Sequence, residues 1–560
     1  MIRVSNDYWN DLIDQQIGSK PLDKVEIELT TNVWTDITVQ YLGGATYDQQ
    51  KELAPDKISA GDTRYSFDNS SDTFTPTIAT SIFYGVVYIG KKIRFSEGFE
   101  NVGYYTESIM YIKDIKLDMD ERICYLFCQE GLQRIIDEEL NEPNTSLIPS
   151  YVGTGNGTIS SISILPFAVV SETWTIACTL GGADGVATFS ATGSVTGLSG
   201  TTWISGTENS DTTHGIKFTI KAGAIVWVIA DTFTFTTRQF PEWTTTNPGK
   251  IIWSILTGYG YDSGTIDTWS TAVFSFDHTK SDDNVDINYK SFTEAISAID
   301  NDLTGYIPFN KNASETIEEI IVHFLGSIYT DNKGRISLSA YQPSFGESLL
   351  YREFADTKKI FSLNMEGDSS KIINRVTVNC KRSVSWAWSE VEETLDDKYV
   401  NQNTNSITTF GLRNPFTYDD KTWYSVNHAA QQWFADRIID KFGGLPELPL
   451  SIEFDTGLDG MKMNLANRIF VTDLGANLSK KLFEVIGIKK DFESNPKNIN
   501  IVGSYINTSG IGWCFLGSSI DEGDGISPQT ADYDSATLSD KNFCYLSTTG
   551  STTQPLYYLW

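Results

Sequence analysis

The chain is poor in the residues on which most enzyme chemistry depends. Its four histidines (His214, His278, His323 and His428) fall in no HExxH, HxH or Cys/His spacing, so a transition-metal site would have to be gathered from distant parts of the chain. Six cysteines in 560 residues are too few for a disulfide framework. Only Cys124 and Cys128 lie close together, in the alternating segment Arg122-Ile-Cys-Tyr-Leu-Phe-Cys128. On a strand they stand roughly 13 Å apart, too far for a bridge or a shared metal, and they read as small core residues on one strand face. No Gly-x-Ser-x-Gly, P-loop or Gly-x-Gly-x-x-Gly element is present. Gly258-Tyr-Gly260 reads as a helix terminator followed by a turn. Nucleotide-binding and serine-hydrolase readings therefore lose their anchor.

Basic charge is also scarce. With 42 Lys and Arg against 72 Asp and Glu, the net charge is −30 and the sequence pI is near 4.5. That balance argues against phosphate-led nucleic-acid binding, which needs clustered Lys and Arg, and against docking on anionic lipid. Apolar runs such as Ala224-Ile-Val-Trp-Val-Ile-Ala230 stop far short of the ~20 residues a membrane helix requires, so no membrane anchor is expected. The start, Met1-Ile-Arg-Val-Ser-Asn-Asp-Tyr-Trp-Asn10, has neither a basic region nor an apolar core. The expectation is a soluble protein made in the cytoplasm without a signal peptide.

What is present points to globular β-structure. At 40% hydrophobic, 12% aromatic and 20% charged, the composition is near the globular average, so the acidity does not signal disorder. Length gives a soft expectation of about three to five domains. The excess of Thr, Ser, Tyr and Trp favours strands.

The sharpest boundary is compositional. Residues 151–237 carry five acids (Glu172, Asp184, Glu208, Asp211, Asp231) and two lysines (Lys217, Lys221), far below the charge density of the whole chain. After a Gly/Thr linker, Glu172–Cys178, Val186–Ala191, Gly215–Ile220 and Asp231–Thr237 alternate with period two between Gly-rich turns. This pattern predicts an inserted Thr/Ser/Gly-rich β-sandwich over 151–240. Before it, 1–150 read as a β-domain, with strands at Val25–Leu29, Asp36–Tyr41, Tyr84–Ile89, Lys92–Phe95 and Ile112–Leu117 and a short helix carrying Leu132, Ile135, Ile136 and Leu140.

Residues 241–350 read as a helix-containing α+β domain. Asn247-Pro248 is an N-cap with proline at the first helical position, and Gly258 is the stop. Ser291-Phe-Thr-Glu294 reads as a capping box. A third helix carries Ile317, Ile320, Ile321, Phe324, Leu325 and Ile328 at helical spacing, ahead of the turn Asp331–Gly334 and a strand at Arg335–Ala340. Residues 351–507 return to strands, with one long helix at 425–442 ended by Gly443-Gly444. A C-terminal extension, 508–560, ends in Pro555-Leu-Tyr-Tyr-Leu-Trp560.

The candidate sites are weak. His323 reads as a hydrogen-bonded residue on the flank of the third helix. Asp118-Met-Asp-Glu121 and Asp521-Glu-Gly-Asp-Gly525 are acidic enough for calcium, but neither has the spacing of an EF-hand loop, and a solvated turn is the reading favoured for each. A carboxylate pair for glycoside hydrolysis is set by separation in space and stays open at this level. Trp174, Trp386 and Trp388 sit on alternating strands, where a core position is favoured over a sugar platform. No catalytic, cofactor-binding or metal residue is assigned.

Taken in order, four stretches resemble the central hub and tail-tip proteins of tailed bacteriophages, the family of baseplate hubs and host-specificity proteins. They are residues 84–140, 247–342 and 372–505 and the ending that starts at Ala531-Asp-Tyr-Asp-Ser-Ala536. The resemblance implies a mainly β, multidomain chain with α+β parts and tandem tube-like β-barrel hub domains at 1–150 and 351–507. It also implies a homotrimeric structural virion protein at the distal end of the tail. Such a hub closes the tail tube, adapts six-fold to three-fold symmetry and contacts a distal tail protein, a tape-measure protein and fibre or receptor-binding proteins. DNA would pass through it without specific binding, along a lumen lined by acids. It is no enzyme and carries no cofactor. The competing class is a polysaccharide-degrading or sugar-binding β-protein acting on the host surface, supported by the Trp and Tyr content and the acids.

Overall fold

A computed structural model of the chain describes residues 21–506, apart from 51–60, 134–148, 265–275, 277–285, 342–349, 381–396 and stretches of six residues or fewer. The short helix around Leu132–Leu140, Trp386, Trp388, His278, His428, Asp521–Gly525 and the 508–560 extension lie wholly or mostly outside the described residues. The architecture is mainly β, in several sheets, with a few helices concentrated in the middle.

The N-terminal strands are β1 (Pro21–Thr30), β2 (Val33–Asp36), β3 (Tyr41–Gly43), β4 (Thr46–Gln50), β5 (Asp62–Asp68), β6 (Lys92–Phe99), β7 (Gly103–Asp118) and β8 (Ile123–Gln129). Seven of them form a sheet in the order β2-β1-β6-β7-β8-β5-β3. Alternation selects the inward face. Val25 and Ile27, Tyr65 and Phe67, and Cys124, Leu126 and Cys128 are all buried, each set two residues apart. The sheet is rolled. Tyr41 on edge strand β3 places its ring 6.0 Å from that of Phe95 on β6, four strands away in hydrogen-bonding order, where a flat sheet would separate them by about 19 Å. The two edge strands, β2 and β3, are consecutive in the chain.

Two expected strands in this region are turns. Asp36–Tyr41 is broken by a 3₁₀ turn at Thr38–Gln40. The Asp36 carboxylate accepts from the Thr38 amide (2.9 Å) and hydroxyl (2.6 Å), and the Thr38 hydroxyl oxygen accepts from the Val25 amide. That local pairing outcompetes the ladder. Tyr84–Ile89 lies in a run of turns between β5 and β6, with Gly85 and Gly90 at φ +67° and +79°. The run is organised by Asn69, whose side chain accepts from the Phe74 amide and donates to Thr75. It delivers Phe74 and Phe83, both buried, to the core of the rolled sheet.

The low-charge segment forms β9 (Ser150–Val152), β10 (Thr158–Ile164), β11 (Glu172–Leu180), β12 (Thr188–Gly193), β13 (Gly197–Leu198), β14 (Trp203–Ile204), β15 (Glu208–Asp211), β16 (Ile216–Lys221) and β17 (Thr232–Thr237). One sheet runs β13-β12-β11-β17-β9 with β14 on β12; the other runs β10-β16-β15. Their inner faces share one core in which Trp203 stacks on Phe218 at 4.1 Å. The Thr-rich strands turn aromatic side chains inward and hydroxyls outward, so each buried Phe contributes about 1.5–3 kcal/mol without a charged partner.

The middle of the chain comprises β18 (Glu242–Thr246), α1 (Pro248–Thr257), α2 (Tyr289–Ala298), β19 (Leu303–Tyr306), α3 (Ala313–Val322), β20 (Ser327–Thr330) and β21 (Ile336–Ser339). For α1 the caps follow the sequence: Asn247 accepts from the Gly249 amide, and Gly258 is left-handed. For α2 the cap lies three residues earlier than expected, at Asn288, which accepts from the Ser291 amide. The third helix is shorter than its apolar period suggests. It stops at Val322 because Leu325 takes a positive φ and Gly326 has no room for a side chain beside Phe324 and the Ser339 carbonyl. Ile328 therefore belongs to β20.

The C-terminal part holds β22 (Leu350–Ala355), β23 (Ser362–Gly367), β24 (Arg375–Cys380), β25 (Asp397–Gln402), α4 (Thr404–Phe410), β26 (Phe416–Asp420), α5 (Ala429–Phe442), β27 (Leu450–Thr456), β28 (Arg468–Asp473), β29 (Leu478–Asp491) and β30 (Asn498–Tyr505). A second seven-stranded sheet runs β22-β28-β29-β30-β27-β23, with β4 from the N-terminal region added along β29. It is rolled like the first, because Phe354 on β22 meets Phe454 on β27 at 5.2 Å. Its edge strands, β22 and β23, are again consecutive. A small sheet, β25-β24-β26, packs on α5. The helix α4 falls where only strands and one helix were expected; Asn403 caps it by accepting from the Ser406 amide.

Candidate functional site

The reactive side chains are used for packing. Cys124, Cys128, Cys178 and Cys380 are free and buried. Burial pushes the Cys124 thiol up to about 12, so it is not a nucleophile at neutral pH. Asp118 Oδ1 accepts from the amides of Asp120 (3.1 Å) and Glu121 (3.0 Å), forming the turn between β7 and β8, with Arg122 at φ +57° closing it. Among the described residues no three His, Cys, Asp or Glu side chains are gathered as a metal site would require. Trp174 is fully buried in the sandwich.

One trio in the sandwich resembles a hydrolase in composition only. Asp211 lies between Ser199, which donates to its Oδ2, and His214, whose Nδ1 is 2.7 Å from the same oxygen. The carboxylate stands between hydroxyl and imidazole, so histidine cannot take the serine proton, as nucleophilic catalysis demands. Burial opposes the charge on Asp211, but the bonds from Ser199 and His214 outweigh it and hold the carboxyl below its usual range. The trio fastens the end of β15, and the His214 ring stands edge-on to Trp174.

A second buried polar group joins α3 to β26 and α5. His323, just beyond the end of α3, is 2% exposed, and its Nε2 lies 3.5 Å from Asp420 Oδ2. Asp420 accepts from the Trp423 amide and from Gln431 Nε2 (2.6 Å). Burial lowers His323 to about 4, opposed by the charge of Glu319, so the imidazole is neutral at pH 7. Glu319 is itself raised by burial, against the pull of Lys311 at 2.7 Å. The histidine anticipated as a hydrogen-bonded residue on the flank of a helix is thus an interior residue whose Nε2 lies near Asp420 without a hydrogen-bond partner among the described residues.

Sequence reasoning missed Asp231. It is 2% exposed and accepts from the amides of Thr154 (2.7 Å), Gly155 (3.2 Å) and Val228 (2.8 Å). Burial works against its charge, and these backbone donors overcome it, keeping the carboxyl below its ordinary range. Nothing in the spacing marked it, because its partners lie 77, 76 and 3 residues away.

The units are also tied to each other. Asp286 receives Lys92 Nζ (3.1 Å) and the Tyr111 hydroxyl (3.2 Å) from the N-terminal sheet. The Asn332 amide donates to Asn464 in the C-terminal part. Lys441 of α5 pairs with Glu484 of β29 at 3.3 Å. On the far edge of the second sheet, β23 is exposed at every position except Leu363, and no strand pairs with its outer side among the described residues. An edge of this kind is a template for a further strand.

No family model matches the chain, and no curated protein matches it significantly. Solved structures that resemble it include the tail protein from Neisseria meningitidis, at 9% identity and a TM-score of 0.39, covering 87% of this chain and 96% of that one. The 43 kDa tail protein of a Shewanella oneidensis prophage gives 9% identity and a TM-score of 0.40, over 87% and 99% of the two chains. A prophage tail protein from Listeria monocytogenes gives 6% identity and a TM-score of 0.39, over 86% and 94%.

Proposed function

We propose that this chain is a structural protein of a phage tail, acting as a trimeric hub at the distal end. The observation that carries the reading is the pair of rolled seven-stranded sheets in one chain. In each, aromatic rings four strands apart touch across the interior, and the two edge strands are joined directly by the chain. Three copies would present six such units around an axis, which is how a three-fold hub can meet a six-fold tube. The names of the solved structures above agree with this reading, which rests on the chain's own sheets.

The exposed edge of β23 supports assembly, since a neighbouring chain can extend the sheet there without new side-chain chemistry. In the assembled hub the acids face the channel and repel DNA phosphates, while tape-measure, distal tail and fibre or receptor-binding proteins occupy the outer and upper surfaces. The role is structural rather than enzymatic. Electron microscopy of particles labelled on this chain tests the position: label at the distal end of the tail supports the reading, and label on the capsid or on no particle overturns it.

A further inference from the structure

The apolar run Ala224–Ala230, too short to span a membrane, is an exposed loop at one end of the sandwich. Ile225, Val226, Val228 and Ile229 are 53%, 48%, 46% and 64% exposed, beside exposed Leu180 and Val186. A cluster of large aliphatic side chains held at the surface marks an interaction site rather than ordinary surface variation.

The loop is held rigidly. Trp227, between the exposed pairs, is 1% exposed and packs edge-on against Phe189 and Phe233. Trp227 and Gly182 exchange both backbone hydrogen bonds, at 3.0 and 3.1 Å. The Ile225 amide donates to Asn156 Oδ1, the Val228 amide to Asp231, and the Ala230 amide to the Cys178 carbonyl. These donors are already satisfied within the protein, which is what backbone must achieve before it enters a medium without water.

We propose that this end of the sandwich inserts its aliphatic tip into the interface of a zwitterionic lipid bilayer. Charge favours that occupant. Residues 222–230 contain no charged side chain, Asp231 is buried in its amide cradle, and Asp184 accepts from the Ala222 amide. A chain carrying −30 is repelled by anionic headgroups but not by neutral ones. Chemistry favours it too. The tip presents Ile, Val and Leu, whereas the anchors of protein interfaces are chiefly Trp, Tyr and Arg. Shallow burial of a few such side chains gives reversible attachment, not spanning.

The test is flotation of the full chain with phosphatidylcholine vesicles, alone and with added phosphatidylglycerol, using wild type, Val226→Asp and Ile229→Asp. Both substitutions fall on exposed side chains, and near-ultraviolet circular dichroism checks that the aromatic core is unchanged. The expected result is flotation of wild type, weakened by the anionic lipid and reduced about tenfold or more in each folded variant. Wild type that stays with the soluble fraction overturns the proposal. So does flotation untouched by the substitutions, or variants whose only change is loss of self-association or of glycan binding.

Discussion

The ring of Phe354, on the first strand of the C-terminal sheet, lies 5.2 Å from that of Phe454, four strands away in hydrogen-bonding order. That contact exists only because the sheet curls on itself. The pair should therefore behave as one unit of the core. Phe354→Ala and Phe454→Ala should each cost about 3–5 kcal/mol, and a double-mutant cycle by urea unfolding should show coupling of about 0.5–1.5 kcal/mol. Strictly additive losses would mean that β22 and β27 do not meet across the core.

Asp231 should hold the sandwich tip together. Asp231→Ala leaves three amide donors without their acceptor, a loss of about 2–4 kcal/mol to the sandwich. Hydrogen exchange should accelerate at Thr154, Gly155 and Val228 before the rest of the sandwich responds. Uniform acceleration throughout the sandwich would remove the special role of this carboxylate.

His323 makes stability fall with acid. Its unfolded imidazole takes a proton near the ordinary value of 6.5, whereas the folded one waits until about 4. Below 6.5 the unfolded state binds more protons, so stability is full above that pH and declines as pH drops toward 4, by up to about 3 kcal/mol. Glu319, raised by burial, contributes the opposite slope. Subtracting the pH profile of His323→Gln from that of wild type isolates the histidine. A flat difference between pH 4 and 6.5 would contradict its interior, neutral state.

Gly157 has no room for a methyl group. A Cβ there would meet the Trp227 indole and the Lys221 carbonyl, so Gly157→Ala should displace Trp227 and red-shift its fluorescence, with a loss of stability of about 2 kcal/mol or more. Unchanged emission would show that the loop yields without moving the indole.

Much of the fold was legible because burial writes itself into period. The alternation around Cys124–Cys128 and in the Thr-rich strands of the sandwich became β8, β11, β16 and β17. Asn247-Pro248 and Gly258 bounded α1 as capping chemistry requires. What failed was decided by side chains talking to nearby backbone. Asp36 and Thr38 turned an alternating segment into a 3₁₀ turn, and Asn69 with Gly85 and Gly90 did the same upstream of β6. The extended third helix failed because the apolar period of Phe324, Leu325 and Ile328 continued across a chain reversal. Asp231, the rolled sheets and the addition of β4 to the distant β29 were invisible, since each depends on residues that meet only after the chain has folded.

If two rolled sheets per chain serve a three-fold assembly, the isolated chain should form trimers. Native mass measurement of the purified full chain tests it most directly. The expected principal species lies at three times the 62.4 kDa chain mass and weakens when the β23 edge is blocked by Leu363→Pro. A chain that stays monomeric at every concentration, or that assembles as an even-numbered ring, would contradict it.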